Sequence, residues 1–418
     1  MRLSHKTICK VDERYSNIIG HMCYAACKLW NVCNYERMHY QELDLPVPYP
    51  NWYYQKSAHK DDLWFKSLPA QTAQEVCKQL DKSWKSFYAL NKSKGIENPR
   101  PPRFKQENMA IVYMQMGIVH HPETETVRLS IPKNLKEYMQ KQYGICENYL
   151  YLENRIFKDM DVIKQIKLYP PENGRMEIIV VYEVPDVEPV PDNGHYLSID
   201  LGLHNLMTCY DSSGKAMIVG RKYLSICRTF DKTISSVQSA WSSSQVHAGV
   251  KYPKSSKHIR RLYKKKANAV NDYLHKVTRY VVEYCKENGI SKVIIGDITH
   301  IRKGKDLGHV NNQKLHSLPF DKIYLMLSYK LAMSGIVFEK QTEAYTSQCS
   351  PLSSDVSKKS ATKRQRVKRG LYCENGQIWN ADAVGAYNIM RLYAQNAGVT
   401  LDFPCRGLSN PEVIKVAV

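Results

Sequence analysis

Apolar residues recur every three or four positions over two stretches of the first hundred residues. Ile18, Met22, Ala25, Ala26, Leu29 and Trp30 predict a helix within about residues 12–43. Ala73, Val76, Leu80, Trp84 and Tyr88 predict a second, strongly amphipathic one in "SLPAQTAQEVCKQLDKSWKSFYAL". Between them "LPVPYPNWYYQK" reads as a proline and aromatic loop, and "NKSKGIENPRPPRFKQ" afterwards as a basic loop stiffened by prolines. From about 109 to 185 the apolar period shortens towards two, in "MAIVYMQMGIV", "TVRLSIP", "IKQIKLYP" and "MEIIVVYEV". The pattern predicts a β-rich domain over 1–11 and 100–190, with a helical insertion over 12–99.

"VPDVEPVPDNGH" then punctuates like a linker. After it "YLSIDLGLHNLMTCYDSSGKAMIVG" predicts three short strands joined by turns, followed by long helices over roughly 222–245 and 256–288. A strand in "VIIGD", a helix in "FDKIYLMLSYKLAMSG", a strand in "IVFEKQT" and a last helix in "NADAVGAYNIMRLYAQNAG" complete the order. That order fits an α+β fold with a mixed sheet flanked by helices. No internal repeat interrupts it.

With 43% hydrophobic residues the chain has the composition of a folded protein, and tyrosine, at 29, far outnumbers phenylalanine, at 8. The formal net charge of +20 favours a polyanionic partner, most commonly nucleic acid. A membrane surface is the alternative, but no segment approaches the ~20 apolar residues of a membrane span. The first twenty residues lack the apolar core of a signal peptide. Twelve cysteines are spread from Cys9 to Cys405 without regular spacing, which fits reduced thiols in a cytosolic protein. Cys23 and Cys27 read as core residues.

Two acids stand in apolar surroundings. Asp200 interrupts the β-run "YLSIDLGLHNL", and a buried charge there needs a cation or a metal. Gly202 lets a backbone or a ligand come close. Asp382 sits in the first turn of the last helix, two residues after a good N-cap, Asn380. Taken singly, one is an acid at a strand end and the other gains ~0.3–1 kcal/mol from the helix dipole. Taken together, an Asp on the first strand of a three-strand meander and an Asp opening the final helix are pieces of an RNase H-like nuclease. Such enzymes hold two Mg²⁺ about 4 Å apart, which activate a water and stabilise the leaving oxygen.

"SIDLGLHNLMTCYDSSG", "GDITHIRKGKDLGHVNNQKLHSLPFDKI", "TEAYTSQCSP" and "WNADAVGAYNIMRLY" strongly resemble the RuvC-like nuclease domain of the TnpB family. Those are the RNA-guided DNA endonucleases of insertion-sequence transposons, ancestors of the type V CRISPR effectors. "SLPAQTAQEVCKQLDKSWKSFY" and "NPRPPRFK" are similar to that family's recognition helices and basic loop. The resemblance implies a β-barrel wedge domain with a helical recognition insertion, then a RuvC-like nuclease over 191–418. It implies Mg²⁺ as cofactor, a guide RNA and target double-stranded DNA as partners, and work in a bacterial or archaeal cytoplasm, at the nucleoid. Most relatives carry a glutamate where this chain has Gly296 in "SKVIIGDITHI". Asp297 follows, but adjacent strand residues point to opposite faces. Some relatives take the glutamate from the end of the next strand, where this chain has Glu343. The implied metal-holding and catalytic triad is Asp200, Glu343 and Asp382, with Asp297 in reserve.

Relatives also insert a zinc ribbon of two Cys-x-x-Cys pairs before the last helix. Only Cys349 and Cys373 stand in the corresponding region, 346–378, so no zinc is expected. What remains is a cationic loop with Lys358, Lys359, Lys363, Arg364, Arg366, Lys368 and Arg369. Arg260, Arg261, Lys264, Lys265 and Lys266 make a second basic cluster, on a helix. Either cluster is suited to nucleic-acid phosphates. The aromatic residues of "NWYYQK" and "SWKSFY" could stack on bases, but their helical spacing favours the core. Two readings of function follow. One is an Mg²⁺-dependent, RNA-guided DNA endonuclease, serving either a transposon or a compact type V CRISPR system. The other is a catalytically inactive RNA-guided DNA-binding protein acting like a repressor, which Gly296 and the missing ribbon favour and the retained Asp200 and Asp382 oppose.

Overall fold

A computed structural model of the chain describes residues 1–93, 95–299, 318–362, 370–399 and 403–417. It forms two compact units, Met1–Pro185 and Asp186–Val418. The first runs β1 (Arg2–Lys10), α1 (Glu13–Met38), α2 (Trp52–Ala58), α3 (Leu63–Lys66), α4 (Ala70–Ser93), β2 (Ile111–Met114), β3 (Ile118–His121) and β4 (Thr126–Ser130). It continues with α5 (Lys133–Tyr143), β5 (Tyr149–Glu153), β6 (Val162–Leu168) and β7 (Arg175–Glu183).

Two antiparallel sheets result, one in the order β1-β7-β6-β2 and one in the order β3-β4-β5. The barrel implied by the resemblance is therefore, among the described residues, a pair of open sheets sharing one hydrophobic core with the helices. Strand β2 is only four residues long, and a 3₁₀ turn at Gln115–Gly117 carries the chain from it into the other sheet. Trp84 is core, 6% exposed, with its indole N–H donating to Asn34 Oδ1 at 2.9 Å. Cys23 and Cys27 are buried, and all twelve cysteines are unbridged.

Helices α2 and α5 stand where the sequence pattern predicted a loop and strands. The aromatic stretch expected as a loop forms α2, because the Asn51 side chain accepts from the backbone N–H groups of Tyr53 and Tyr54. Helix α5 lies inside the stretch of β period. It buries Leu135 and Met139, four apart, and ends on Gly144 at φ 65°.

The second unit runs β8 (Tyr196–Leu201), β9 (Met207–Asp211), β10 (Ala216–Val219), α6 (Tyr223–His247), α7 (Lys257–Glu287), β11 (Lys292–Asp297), α8 (Phe320–Ala332) and β12 (Val337–Thr342). It continues with β13 (Leu371–Glu374), β14 (Gln377–Asn380), α9 (Ala381–Ala397) and β15 (Glu412–Ile414). Its mixed sheet has the order β12-β11-β8-β9-β10-β15, with β8, β11 and β12 parallel. Alternation along the strands separates two cores. Leu197, Ile199, Val293 and Ile295 pack with Leu274 and Val277 of α7 and Ile323 of α8. Tyr196 and Ile294 pack on the other face with Ala383, Val384 and Tyr387 of α9. Among the described residues no helix is long and apolar enough to cross a membrane.

One ion pair ties the helices of the first unit together. Arg37 of α1, 1% exposed, donates to Asp81 of α4 at 3.0 Å and to Gln55 of α2 at 2.9 Å. Burial works against the Asp81 charge, but hydrogen bonds from Lys85 and Arg37 more than offset it and hold Asp81 below its ordinary value. Removing that charge leaves the buried guanidinium unpaired. Asp81→Asn should therefore cost about 3–5 kcal/mol in urea unfolding. Lys85→Ala, which removes an exposed partner, should cost under about 1 kcal/mol.

Candidate active site

Strand register decides which side chains can meet. β8 and β11 pair in parallel as far as Ile199 with Ile295, so the next step sets Asp200 alongside Gly296. β11 and β12 pair Gly296 with Gln341 and Asp297 with Thr342. Alternation then assigns Asp200, Gly296, Gln341 and Glu343 to the face covered by α9, and Asp297 to the opposite face. Tyr324 of α8 pins the end of β11, donating to the Gly296 carbonyl at 2.7 Å and accepting from the Ile298 N–H at 3.0 Å.

The side chain of Glu343 lies over the bare Cα of Gly296. A Cβ at position 296 would fall 1.8 Å from Glu343 Oε1 and 2.6 Å from its carboxyl carbon. That oxygen is buried and has no hydrogen-bond partner among the described residues. Burial, then the negative charge of Asp297, pushes Glu343 up to about 7 from its ordinary 4.5. Asp297 is thus near enough to act on Glu343 through space, although its own carboxylate accepts from the N–H and hydroxyl of Thr299.

A second glycine serves Asp200. A Cβ on Gly385 of α9 would fall 2.4 Å from Asp200 Oδ2. Asp382 stands one turn earlier on the same helix face, since residues three apart are neighbours there. Asn380 caps the helix by accepting from the N–H groups of Asp382 and Ala383. Asn205 donates to Asp382 Oδ2 at 2.7 Å, and Arg221 donates to Asn205 Oδ1 at 3.0 Å. The approach allowed by Gly202 is that of a backbone: the Asn205 carbonyl oxygen would lie 2.8 Å from a Cβ there. Asn205, Arg221 and Gly385 form no motif of their own. Only Gly385 carries a sequence signal, as a glycine inside an apolar helix.

Among the described residues no three His, Cys, Asp or Glu side chains stand close enough together to hold a metal ion. Glu343 and Asp297 interact, while Asp200 and Asp382 flank the first turn of α9. The donors are all carboxylate oxygens, the ligand type a hard divalent cation such as Mg²⁺ takes. The buried Oε1 of Glu343, with no partner among the described residues, fits such a cation.

Cys349 is buried, with its thiol directed to the Ser357 carbonyl at 3.4 Å, and Cys373 lies on β13. Helix α9 holds this region. Asn388 donates to the carbonyls of Thr346 at 2.9 Å and Cys349 at 2.8 Å, and Arg391 to that of Ser350 at 3.0 Å. Lys358 and Lys359 are exposed, whereas Lys363, Arg364, Arg366, Lys368 and Arg369 lie outside the described residues. On α7, Arg260, Arg261, Lys264 and Lys265 are exposed, while Lys266 is paired with Asp231 of α6.

A family model for a probable transposase, OrfB_IS605, matches residues 179–302, and a model of the Cas12f1-like TNB domain matches 320–389. The resemblance read from the motifs holds on these segments. Among solved structures, a Cas12f1–sgRNA–target DNA complex aligns at 14% identity and a TM-score of 0.57, over 90% of this chain and 83% of that one. The mini RNA-guided endonuclease Cas-phi3 aligns at 10% identity and a TM-score of 0.49, over 97% and 94%. The first of these likenesses shows a common mixed α/β fold. Among curated proteins none matches the chain.

The raised pKa of Glu343 has a definite sign. The unfolded chain releases this proton near 4.5 and the folded, metal-free protein near 7, so stability falls as pH rises between those values and levels off above. Glu343→Gln should remove that decline. In EDTA it should gain on the order of 2 kcal/mol over wild type at about pH 8, and nothing at about pH 4, by thermal melting. Gly385→Ala and Gly296→Ala each drive a methyl into a carboxylate and should cost about 1–3 kcal/mol in the same measurement.

Proposed function

From a chain whose residues 179–302 and 320–389 match the OrfB_IS605 and Cas12f1-like families, we propose an RNA-guided DNA endonuclease with a RuvC-like nuclease unit. The observation that carries this reading is the buried carboxylate oxygen of Glu343, without a partner among the described residues, in the side-chain space of Gly296. An acid there replaces the one that Gly296 lacks, on the same sheet face as Asp200. The strand order β12-β11-β8-β9-β10, with an acid-bearing helix on one face, supports the RNase H-like reading.

In this proposal Asp200, Glu343 and Asp382 hold Mg²⁺, which when bound activates the attacking water and stabilises the leaving oxygen. The chain's own residues prepare the site. Asn205 fixes one oxygen of Asp382 and leaves the other for a ligand, and Arg221 fixes Asn205. Gly385 admits the Asp200 carboxylate to the helix surface, and Tyr324 holds the strand end beneath Glu343. Burial, with the charge of Asp297 adding to it, keeps Glu343 protonated below about pH 7 in the absence of a cation, so metal binding competes with a proton there.

Guide RNA and target DNA are the proposed partners. Base pairing supplies the sequence, and Arg260, Arg261, Lys264 and Lys265 grip phosphates. Lys358, Lys359 and the basic residues 363–369 are assigned the same work. The proposed organisation keeps a wedge domain over 1–11 and 100–190, a recognition insertion over 12–99, a nuclease over 191–418 and a nucleic-acid-binding insertion over 346–378. The placement of α1 to α4 between β1 and β2 supports the insertion. A transposon-derived and a CRISPR guide would call on the same polypeptide chemistry.

The test is to purify the chain with RNA expressed from its native flanking DNA, sequence the bound RNA and assay a matching plasmid with Mg²⁺. Asp200→Ala, Glu343→Ala and Asp382→Ala should each lower cutting by orders of magnitude and leave guide and target binding intact. Asp297→Ala should spare most of the activity. The exchange Gly296→Glu/Glu343→Gly should restore cutting lost in Glu343→Gly, because it returns a carboxylate to the same space. A wild-type complex that binds guide and target in Mg²⁺ without cutting would sink the proposal.

A further inference from the structure

The first unit contains a cavity of about 600 Å³ to which the nuclease chemistry assigns no task. Its walls come from the N-terminal half of α1, from α3 and from α5. In a chain of net charge +20 it is lined by no Lys, Arg, Asp or Glu among the described residues. Burial also pushes the pKa of His21 down, which keeps this lining residue neutral at pH 7.

The lining combines aromatic rings with amides. Tyr24 and Trp64 meet nearly at right angles, 77° apart in plane with centroids at 5.6 Å, so a flat ring laid on one would meet the edge of the other. Tyr24 is 42% exposed and Tyr138 45% exposed. The side-chain amides of Asn17, Asn108 and Asn134 face the cavity without hydrogen bonds among the described residues. Lys28 stands 5.1 Å from the Tyr24 ring centre, a cation at hand for a phosphate.

Gly20 is the independent observation. Among the described residues two glycines lie inside α-helices, and a glycine there is destabilising relative to alanine. Gly385 is explained by the Asp200 carboxylate in its Cβ space. Gly20 lines the cavity, and a Cβ built on it meets nothing within 4 Å. The protein's own packing does not require the missing side chain, whereas an occupant lying against the helix would.

We propose that this cavity takes up one unpaired nucleobase of the bound nucleic acid, stacked on Tyr24 or Trp64 and read by the free amides. A base with its ribose fits within the volume, and the polar amides suit a base edge better than an apolar peptide. This rests on the reading of the chain as an RNA-guided protein.

The test uses the complex with its copurified RNA. Irradiation at about 254 nm, followed by peptide mapping, should place nucleotide crosslinks on Tyr24, Trp64 or Tyr138. Crosslinks before the target duplex is added identify a guide base, and crosslinks that need the duplex identify a DNA base. Gly20→Leu should weaken Kd for that nucleic acid about tenfold, by filter binding, within the range stacking on a single base supplies. Its melting temperature should match or exceed that of wild type, which a merely structural glycine would not produce. Gly20→Ala, one methyl larger, serves the same purpose if the leucine unfolds the chain. Wild-type binding by both variants, or a crosslinked protein in place of nucleic acid, overturns the cavity proposal alone. A wild-type chain that retains no RNA overturns the RNA-guided reading, and this inference with it.

Discussion

The Glu343 carboxylate and the bare Cα of Gly296 occupy one space, and the acidic end of the second unit is arranged around that contact. With an oxygen 1.8 Å from the would-be Cβ, no other residue type fits at 296 while Glu343 stays where it is. The exclusion works in both directions. A long side chain at 296 would fill the volume from its own strand, and Glu343 fills it from the neighbouring one. A carboxylate thus stands over β11 on the α9 face although β11 itself carries no side chain there. In the proposed reading Gly296 is the vacated side of an exchange between strands.

That contact is costly, and its cost explains the neighbouring residues. A carboxylate oxygen in a desolvated place, without a partner among the described residues, favours the protonated form, and Asp297 strengthens the tendency. The surroundings are built to keep the geometry in spite of this. Tyr324 bonds to the backbone on both sides of Asp297, and Asn205 with Arg221 holds Asp382. Helix α9 meets the sheet through Gly385, where Asp200 needs room, and through its Ala386 carbonyl, which accepts from Ser198 at 2.7 Å. Farther along, its polar face binds the carbonyls of the loop after Glu343. One helix thus carries an acid, admits a second and steadies the segment that follows the third.

The segment that carries Cys349 is held by side chains of α9. Asn388 and Arg391, three apart on α9, donate to three successive parts of the loop, so hydrogen bonds organise the backbone around them. In the first unit the buried Arg37 plays a comparable part, joining α1, α2 and α4 through Asp81 and Gln55. In both places a cationic side chain with several donors links separate elements through hydrogen bonds.

Long periodic elements were legible in the sequence because period is a local property. The helices now α1, α4, α7 and α9, and the strands β8, β11 and β12, follow from the spacing of their apolar residues alone. So did Asp200 and Asp382 as acids in apolar settings. Helix α2 was hidden because its start is set by one capping side chain, Asn51, rather than by period. Helix α5 was hidden because eleven residues with two buried positions make too short a pattern. The closed barrel that the resemblance implied is, among the described residues, two open sheets, since strand pairing is a long-range choice. The sequence by itself determined the long periodic elements, the basic composition and the inventory of acids. Only the tertiary structure decided that Glu343 stands over Gly296 and Asp200 against Gly385, because those contacts depend on register and volume between strands and helices far apart in the chain.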